Sequence, residues 1–325
     1  MNLLSWNCRG LGNQTAVEVL SHLVREKAPK VLFLMETKLS VGEMRNVQND
    51  LPYRCMVAVP SVHRSGGLAL LWMEEVELHV QTYSPNHIDS LIKSDNSFWR
   101  FTGFYGRPEM QRKHESWTLL KHLHSRSTAP WLCCGDFNEI LTMEEKRGLL
   151  RPLRPMQEFR EALLQCGLVD LGFQGNIFTW SNGREGEGFV QERLDRACGT
   201  IEWRALFPHV KVNHLQVTYS DHVPILISTH PPTGHMRRKR HLRRFEEKWS
   251  THPDCEGLIR EVWRKGTQNG SPMFKLFEKI KQCRVAWSGA KTFLGTLKPN
   301  YRLSKQNLKI FHCKIMPIMP NALVP

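Results

Sequence analysis

"CMVAVPSVHRSGGLALLWMEEVELHV", residues 55–80, decides the fold class. Three strand-like runs, Cys55 to Val59, Gly67 to Trp72 and Val76 to Val80, follow one another with only short breaks, and Phe98 to Tyr105 adds a fourth. Parallel neighbours need a long, usually helical crossover, so runs this close point to antiparallel pairing. Upstream, Leu3 to Cys8 reads as a strand, Gly10 to Asn13 as a turn, Thr15 to Lys27 as a helix with Val17, Leu20 and Val24 on one face, and Val31 to Met35 as a strand. Downstream, helices are expected at Gln111 to Ser125 and Pro155 to Cys166. Strands are expected at Pro130 to Cys134, Ile177 to Asn182, Val190 to Ala197, Val210 to Val217 and Val223 to Ser228. About ten strands and three helices exceed what one open sheet usually carries. The expectation is an α/β fold of two packed sheets flanked by helices, over residues 1–230.

Charge divides the 325-residue chain. Residues 1–230 hold 25 Lys+Arg against 25 Asp+Glu, whereas residues 231–325 hold 20 against 6, so the net +14 belongs to the last part. The break falls at Pro231-Pro232-Thr233-Gly234. Beyond it Arg237, Arg238, Lys239, Arg240, Arg243 and Arg244 precede two expected helices, the second with Met273, Phe277, Ile280, Arg284 and Trp287 along one face, and Lys314 to Pro325 reads as a frayed end. Such a tail suits a polyanion, DNA first and RNA second; a solvated linker is the alternative. The basic run also suggests nuclear entry. No run is long enough to span a membrane and no leader-like segment precedes Leu3, so a soluble intracellular protein is expected. Nine cysteines without a C-x-x-C pair read as reduced core thiols.

Polar residues stand where strands end: Asn7, Glu36, Tyr105, Asp136 and Asn138 in "GDFNEI", Asp195, and Asp221-His222. Singly, each has an ordinary reading. Asn7, Asp136 and Asn138 suit turns, Glu36 and Asp221 suit caps, Tyr105 suits a rim, Asp195 an ion pair with Arg193, and His222 a structural hydrogen bond. Jointly they form the kind of constellation that a sheet-based site assembles from distant strand ends. Glu36 and Asn7 offer hard oxygen ligands suited to Mg²⁺, with Mn²⁺ as a substitute. Asp136 would orient or deprotonate water, with Asn138 fixing it. His222 held by Asp195 would stabilise charge on phosphorus oxygens. Metal-assisted phosphoester hydrolysis uses all these parts.

"SWNCRGLG", "METK", "GGLALLW", "FYG", "GDFNEI", "FTWSN", "ERLDRA" and "SDHVPI" also occur in the order of the endonuclease/exonuclease/phosphatase superfamily, across residues 1 to about 230. Within it the chain most resembles the endonuclease domain of plant LINE-type (non-LTR) retrotransposons. That resemblance implies a four-layered, deoxyribonuclease-I-like α/β sandwich and Mg²⁺-dependent nicking of one DNA strand. It implies metal ligation by Glu36 with Asn7, phosphate contact by Tyr105, water activation by Asp136 with Asn138, and a phosphate-stabilising His222–Asp195 pair. It leaves Asp221 to orient the site or help bind metal. As basic side chains near the metal position, Arg9 and Lys38 are expected to contact nucleic acid.

Repair-type members carry an acid two residues after the motif-one Asn, where this chain has Arg9, which argues against a repair role and a second metal contact. "RRFEEKW" resembles the linker before a reverse transcriptase, yet no Asp-Asp pair follows, so a truncated linker is expected at 231–325. Two other functions fit the same residues: a superfamily phosphatase acting on a lipid or inositol phosphate, and a silent nucleic-acid-binding remnant.

Overall fold

The computed structural model describes residues 1–62, 66–94, 97–217, 219–229 and 253–264, with Lys279 and Cys283. β1 (Asn2–Asn7), α1 (Gln14–Lys27) and β2 (Val31–Met35) make a parallel crossover. Helix α1 starts where the Asn13 side chain accepts the Thr15 N–H at 2.7 Å, and stops where Ala28 turns left-handed and its N–H bonds Val24. α2 (Val41–Asn49) begins with a reciprocal capping box between Ser40 and Glu43. β3 (Cys55–Val59), β4 (Leu68–Trp72), β5 (Leu78–Ser84), β6 (His87–Ser94) and β7 (Ser97–Tyr105) follow. α3 (Lys113–Ser125) then carries the chain to β8 (Trp131–Asp136), which pairs parallel with β7. The remaining elements of this region are β9 (Lys146–Arg147), α4 (Leu153–Gln165), β10 (Val169–Asp170), β11 (Trp180–Ser181), β12 (Gln191–Glu192), β13 (Asp195–Gly199), α5 (Ile201–Leu206), β14 (Lys211–His214) and β15 (Ile225–Ser228).

Two six-stranded sheets result, ordered β14-β15-β1-β2-β4-β3 and β10-β13-β8-β7-β6-β5, with β11-β12-β9 as a small third sheet. Pairing is antiparallel as expected, except for one parallel pair at the middle of each large sheet, β1–β2 and β7–β8. The crossover helices α1 and α3 make those pairs possible. The two large sheets thus share one pattern of strand directions, although the sequence holds no repeat.

Alternation along the strands sorts side chains into layers. Leu3, Val31, Phe33, Met35, Leu68, Leu70, Trp99, Phe101, Leu132 and Cys134 meet between the two sheets. Leu4, Trp6, Leu32, Leu34 and Leu71 face the stripe of α1 and Met44 and Val47 of α2. Phe104, Trp131 and Cys133 face Trp117, Leu120, Phe159 and Leu163 of α3 and α4. The order is therefore helices, sheet, sheet, helices: an α/β sandwich in four layers. Each fully buried large side chain contributes about 1.5–3 kcal/mol, so this central apolar layer dominates folding. Gly103 permits the sheets to approach, because a Cβ there would sit 2.5 Å from the Phe33 ring.

Some elements differ from expectation. The run at Val76 begins its strand only at Leu78, and β6, for which no strand was expected, is hydrogen-bonded to both β5 and β7. The strands expected at 177–182 and 190–197 shrink or split into β11, β12 and β13. Cys8, Cys133, Cys134, Cys166 and Cys198 are free and buried.

The chain divides into two units, Met1–Thr233 and Gly234–Pro325. In the second, α6 (Pro253–Arg264) is described, with an Arg260–Glu256 pair at 2.7 Å and Lys279 over the Trp263 ring at 5.4 Å. Arg237, Arg238, Lys239, Arg240, Arg243 and Arg244 lie outside the described residues, as do Met273, Phe277, Ile280, Arg284, Trp287 and the 314–325 end. Among the described residues no helix is long and apolar enough to cross a membrane.

Candidate active site

The carboxyl ends of the two parallel pairs point to one place. Asn7, Tyr105 and Asp136 share the strand parity of Leu3, Phe101 and Cys134, so their side chains enter the space between the sheets. Asp195 lies directly across from Asp136 in the β8–β13 ladder, with the same inward parity as Ala197. His222 precedes β15 and forms a bridge with Trp180. Glu36 follows Met35 and by strict alternation would face the helices. Its left-handed backbone, φ 50°, re-aims it, and the carboxylate meets Asn7 and Tyr105.

Five non-glycine residues among those described have positive φ. Ala28 ends α1; the other four, Arg9, Glu36, Lys38 and Asn138, all surround this site. Such conformations are costly for L-residues and persist where the surroundings impose them, and here they cluster around one group of buried polar side chains.

The contacts join both sheets. Asn7 Nδ2 donates to Glu36 Oε1 at 3.2 Å and to Asp136 Oδ2 at 3.0 Å, and Tyr105 Oη donates to Glu36 Oε1 at 2.9 Å. The Asn138 N–H donates to Asp136 Oδ1 at 2.8 Å, while its side-chain amide donates to Gly106 O at 2.9 Å. Asn138 therefore orients Asp136 through its main chain. His222 Nδ1 bonds Asp195 Oδ2 at 2.8 Å, and Nε2 lies 3.8 Å from Asp136 Oδ2. Arg9 spans two carboxylates, Nη1 at 3.3 Å from Glu36 and Nε at 3.3 Å from Asp221; Lys38 Nζ is 3.9 Å from Glu36. Every residue expected in residues 1–230 is thus gathered at one site.

The ordinary reading of Asp195 fails. Asp195 does not pair with Arg193, which instead joins Arg196 in a buried network with Glu145 and Asp170. Supporting residues that motif reading left without roles are Ser220, whose hydroxyl donates to Asn7 O at 2.9 Å, and Trp6, whose Nε1 donates to the His222 carbonyl at 3.2 Å. Trp180 Nε1 donates to Asp221 at 3.0 Å. Lys113 is buried; its Nζ donates to Asn138 O and lies 3.1 Å from Glu139. Apolar periodicity hides these roles, because Trp and Lys on an element look like core and surface.

Electrostatics separates the acids. Burial pushes the Asp136 carboxyl up to about 6, with His222 opposing and Asp195 reinforcing the rise. Burial also opposes charge on His222, but Asp195 and Asp136 outweigh it and lift the imidazole to about 9. Glu36 is likewise disfavoured by burial, yet Asn7, Arg9 and Tyr105 hold it below the ordinary carboxylate range. Burial and the neighbouring carboxylates push the Tyr105 hydroxyl far up, so it donates rather than ionises. Two buried carboxyls are thus held on opposite sides of their usual value, an arrangement that allows one to exchange a proton while the other stays charged.

The donor set fits a hard divalent cation. Asp136, Asp195 and His222 form a buried group whose candidate ligand atoms lie within 4.8 Å of one another, with Glu36 and Asn7 alongside; because His222 favours its protonated form, the carboxylate and amide oxygens are the donors a hard cation would take. Cys8, near Glu36, donates to Met35 O at 3.2 Å and is pushed up to about 12 by burial, so its thiol is not poised as a thiolate ligand for zinc.

A model of the Endonuclease/Exonuclease/phosphatase family matches residues 4–222, the span that contains every one of these residues. The chain belongs to this family. It is a phosphoesterase of that family, with a buried Asp/Asp/His group and room in its chemistry for a divalent metal. Solved structures of the same fold include the AP endonuclease LMAP from Leishmania major (17% identity, TM-score 0.59, 71% of this chain and 88% of that one). The endonuclease domain of TRAS1, a telomere-specific non-LTR retrotransposon, is similar at 15% identity, TM-score 0.54, over 70% and 96%. The 3′ phosphatase NExo from Neisseria, solved with a product DNA hairpin, is similar at 18% identity, TM-score 0.53, over 70% and 98%. No curated protein matches the chain in sequence.

Proposed function

We propose that this chain is a Mg²⁺-dependent DNA endonuclease of retroelement type that nicks one strand of a duplex. The observation that carries this reading is Asp136. It is buried between the sheets, its two oxygens are fixed by Asn138 N–H and Asn7, and it faces an imidazole locked to Asp195. The likeness to the TRAS1 domain and the "WNCRG" motif with Arg9 support the retroelement assignment. A nuclear setting would follow from a DNA substrate and the basic run.

Glu36 with Asn7 would hold Mg²⁺, or Mn²⁺ in its place, which when bound would supply Lewis-acid polarisation of a phosphoryl oxygen. The ionised Asp136 takes a proton from water, whose oxygen bonds to phosphorus as the bond to O3′ breaks, and the leaving O3′ oxyanion takes a proton from solvent water. Imidazolium His222, held by Asp195, donates to a non-bridging oxygen as charge builds there. Tyr105 keeps Glu36 oriented and contacts phosphate, Asp221 and Arg9 brace the rim, and Arg9 and Lys38 meet the backbone of the nucleic acid. The products are a 3′-hydroxyl and a 5′-phosphate.

An end-labelled duplex oligonucleotide tests this. The expected result is a cut in one strand that DNA ligase reseals without prior end repair. Release of inorganic phosphate from an inositol phosphate with no strand cut would identify a phosphatase instead. DNA retention without hydrolysis of either substrate would identify a silent binder.

A further inference from the structure

The "FTWSN" motif, residues 178–182, has no part in the chemistry above, yet Thr179 is fully buried beside it. Its hydroxyl oxygen accepts two main-chain N–H groups, from Leu194 and from Asp195, each at 2.9 Å. Its carbonyl accepts the Val223 N–H at 2.8 Å, and its own N–H donates to Glu192 O at 3.0 Å. Ser181 N–H donates to Asp221 O at 3.1 Å, and Trp180 bridges His222 between them. Residues 179–181 are thus the strap against which 221–223 is laid.

We infer that Thr179 is the positioning residue of the Asp195–His222 pair, gripping Asp195 with its side chain and the His222 segment with its main chain. This inference rests on the endonuclease reading for its kinetic consequences but not for its geometry. Asp195 and His222 lie 27 residues apart, one at the start of β13 and the other just before β15 of the other large sheet. Thr179 touches main-chain atoms of Asp195 and of the residue after His222, so its hydroxyl sets where the Asp195 carboxylate begins. A Val of similar shape would leave two buried N–H groups without an acceptor and release that carboxylate. Ser would keep the acceptor.

The test compares wild type, Thr179→Val, Thr179→Ser and Thr179→Ala by two readouts. Thr179→Ala removes the acceptor with less steric change and serves if the Val variant melts below assay temperature. In histidine-¹⁵N-labelled protein at fixed pH, the His222 Nδ1–H resonance is expected to persist in wild type and Thr179→Ser and to be lost to exchange in the Val and Ala variants. In nicking assays kcat is expected to fall about 10- to 100-fold in Val and Ala with KM unchanged, to recover in Ser, and to fall no further when added to His222→Ala. A resonance that survives in folded Val and Ala variants would overturn the inference, as would an equal kcat loss in the His222→Ala background. Should wild type cut no DNA, the endonuclease reading fails while the resonance still decides the role of Thr179.

Discussion

Asp136 and His222 sit 3.8 Å apart with pKa values displaced in ways that suit opposite tasks, Asp136 up to about 6 and His222 up to about 9. The base must be ionised and the imidazole protonated, so the pH–rate curve should rise near 6 and fall near 9, the limbs belonging to the coupled pair. Asp195 contributes negative charge that raises His222; Asp195→Asn should therefore shift the falling limb to lower pH. A pH profile of nicking in which that limb stays fixed would exclude the pairing role. Asp136→Asn should lower kcat by about 10²–10⁴ without changing the melting temperature by more than a few degrees, read by single-turnover kinetics and a thermal melt. At this scale the sequence was informative where a polar residue broke an apolar run: Asn7, Glu36, Asp136 and His222 all stand out that way. Thr179, Ser220 and Trp6 did not, because each acts through a main-chain contact across the fold that no local pattern encodes.

Elements that bury a simple stripe or an unbroken apolar run, such as α1, β2 and β3, lie where periodicity puts them. β6 was hidden because "HIDSLIKS" mixes polar residues into the strand; Asp89 is buried there by Arg100 at 2.8 Å and by the Thr102 hydroxyl at 2.6 Å. α2 and α5 are short and held by caps, Ser40 with Glu43 and Thr200, rather than by long stripes. The same blending of polar and apolar explains "ERLDRA". Arg193 before β13 and Arg196 within it are buried against Glu145 and Asp170, while Asp195 between them bonds His222. Glu145→Ala would leave two buried guanidinium groups short of partners and should destabilise the fold by about 3–5 kcal/mol in urea melts. A loss under 1 kcal/mol would mean that water or Asp170 satisfies both.

At the scale of the molecule, residues 1–230 are charge-balanced and carry the whole site, while the excess positive charge lies at 231–325. The sandwich was legible from the spacing of strands. The parallel pair in each sheet was not, because it depends on which distant strands α1 and α3 bring together. If the tail supplies phosphate contacts, removing residues 231–325 should weaken DNA binding and flatten its salt dependence, with kcat at saturating DNA unchanged, as read by fluorescence anisotropy across salt concentrations. Unchanged affinity and salt slope would remove the tail from the interface. The central claim, that one site at the carboxyl ends of both sheets cuts DNA with a metal, is tested most directly by supercoiled plasmid incubated with the full chain in Mg²⁺ or EDTA, beside Glu36→Ala and His222→Ala. Relaxation that needs Mg²⁺ and is lost in both variants is the predicted result; no relaxation by folded wild type, or relaxation that persists in both variants, would contradict it.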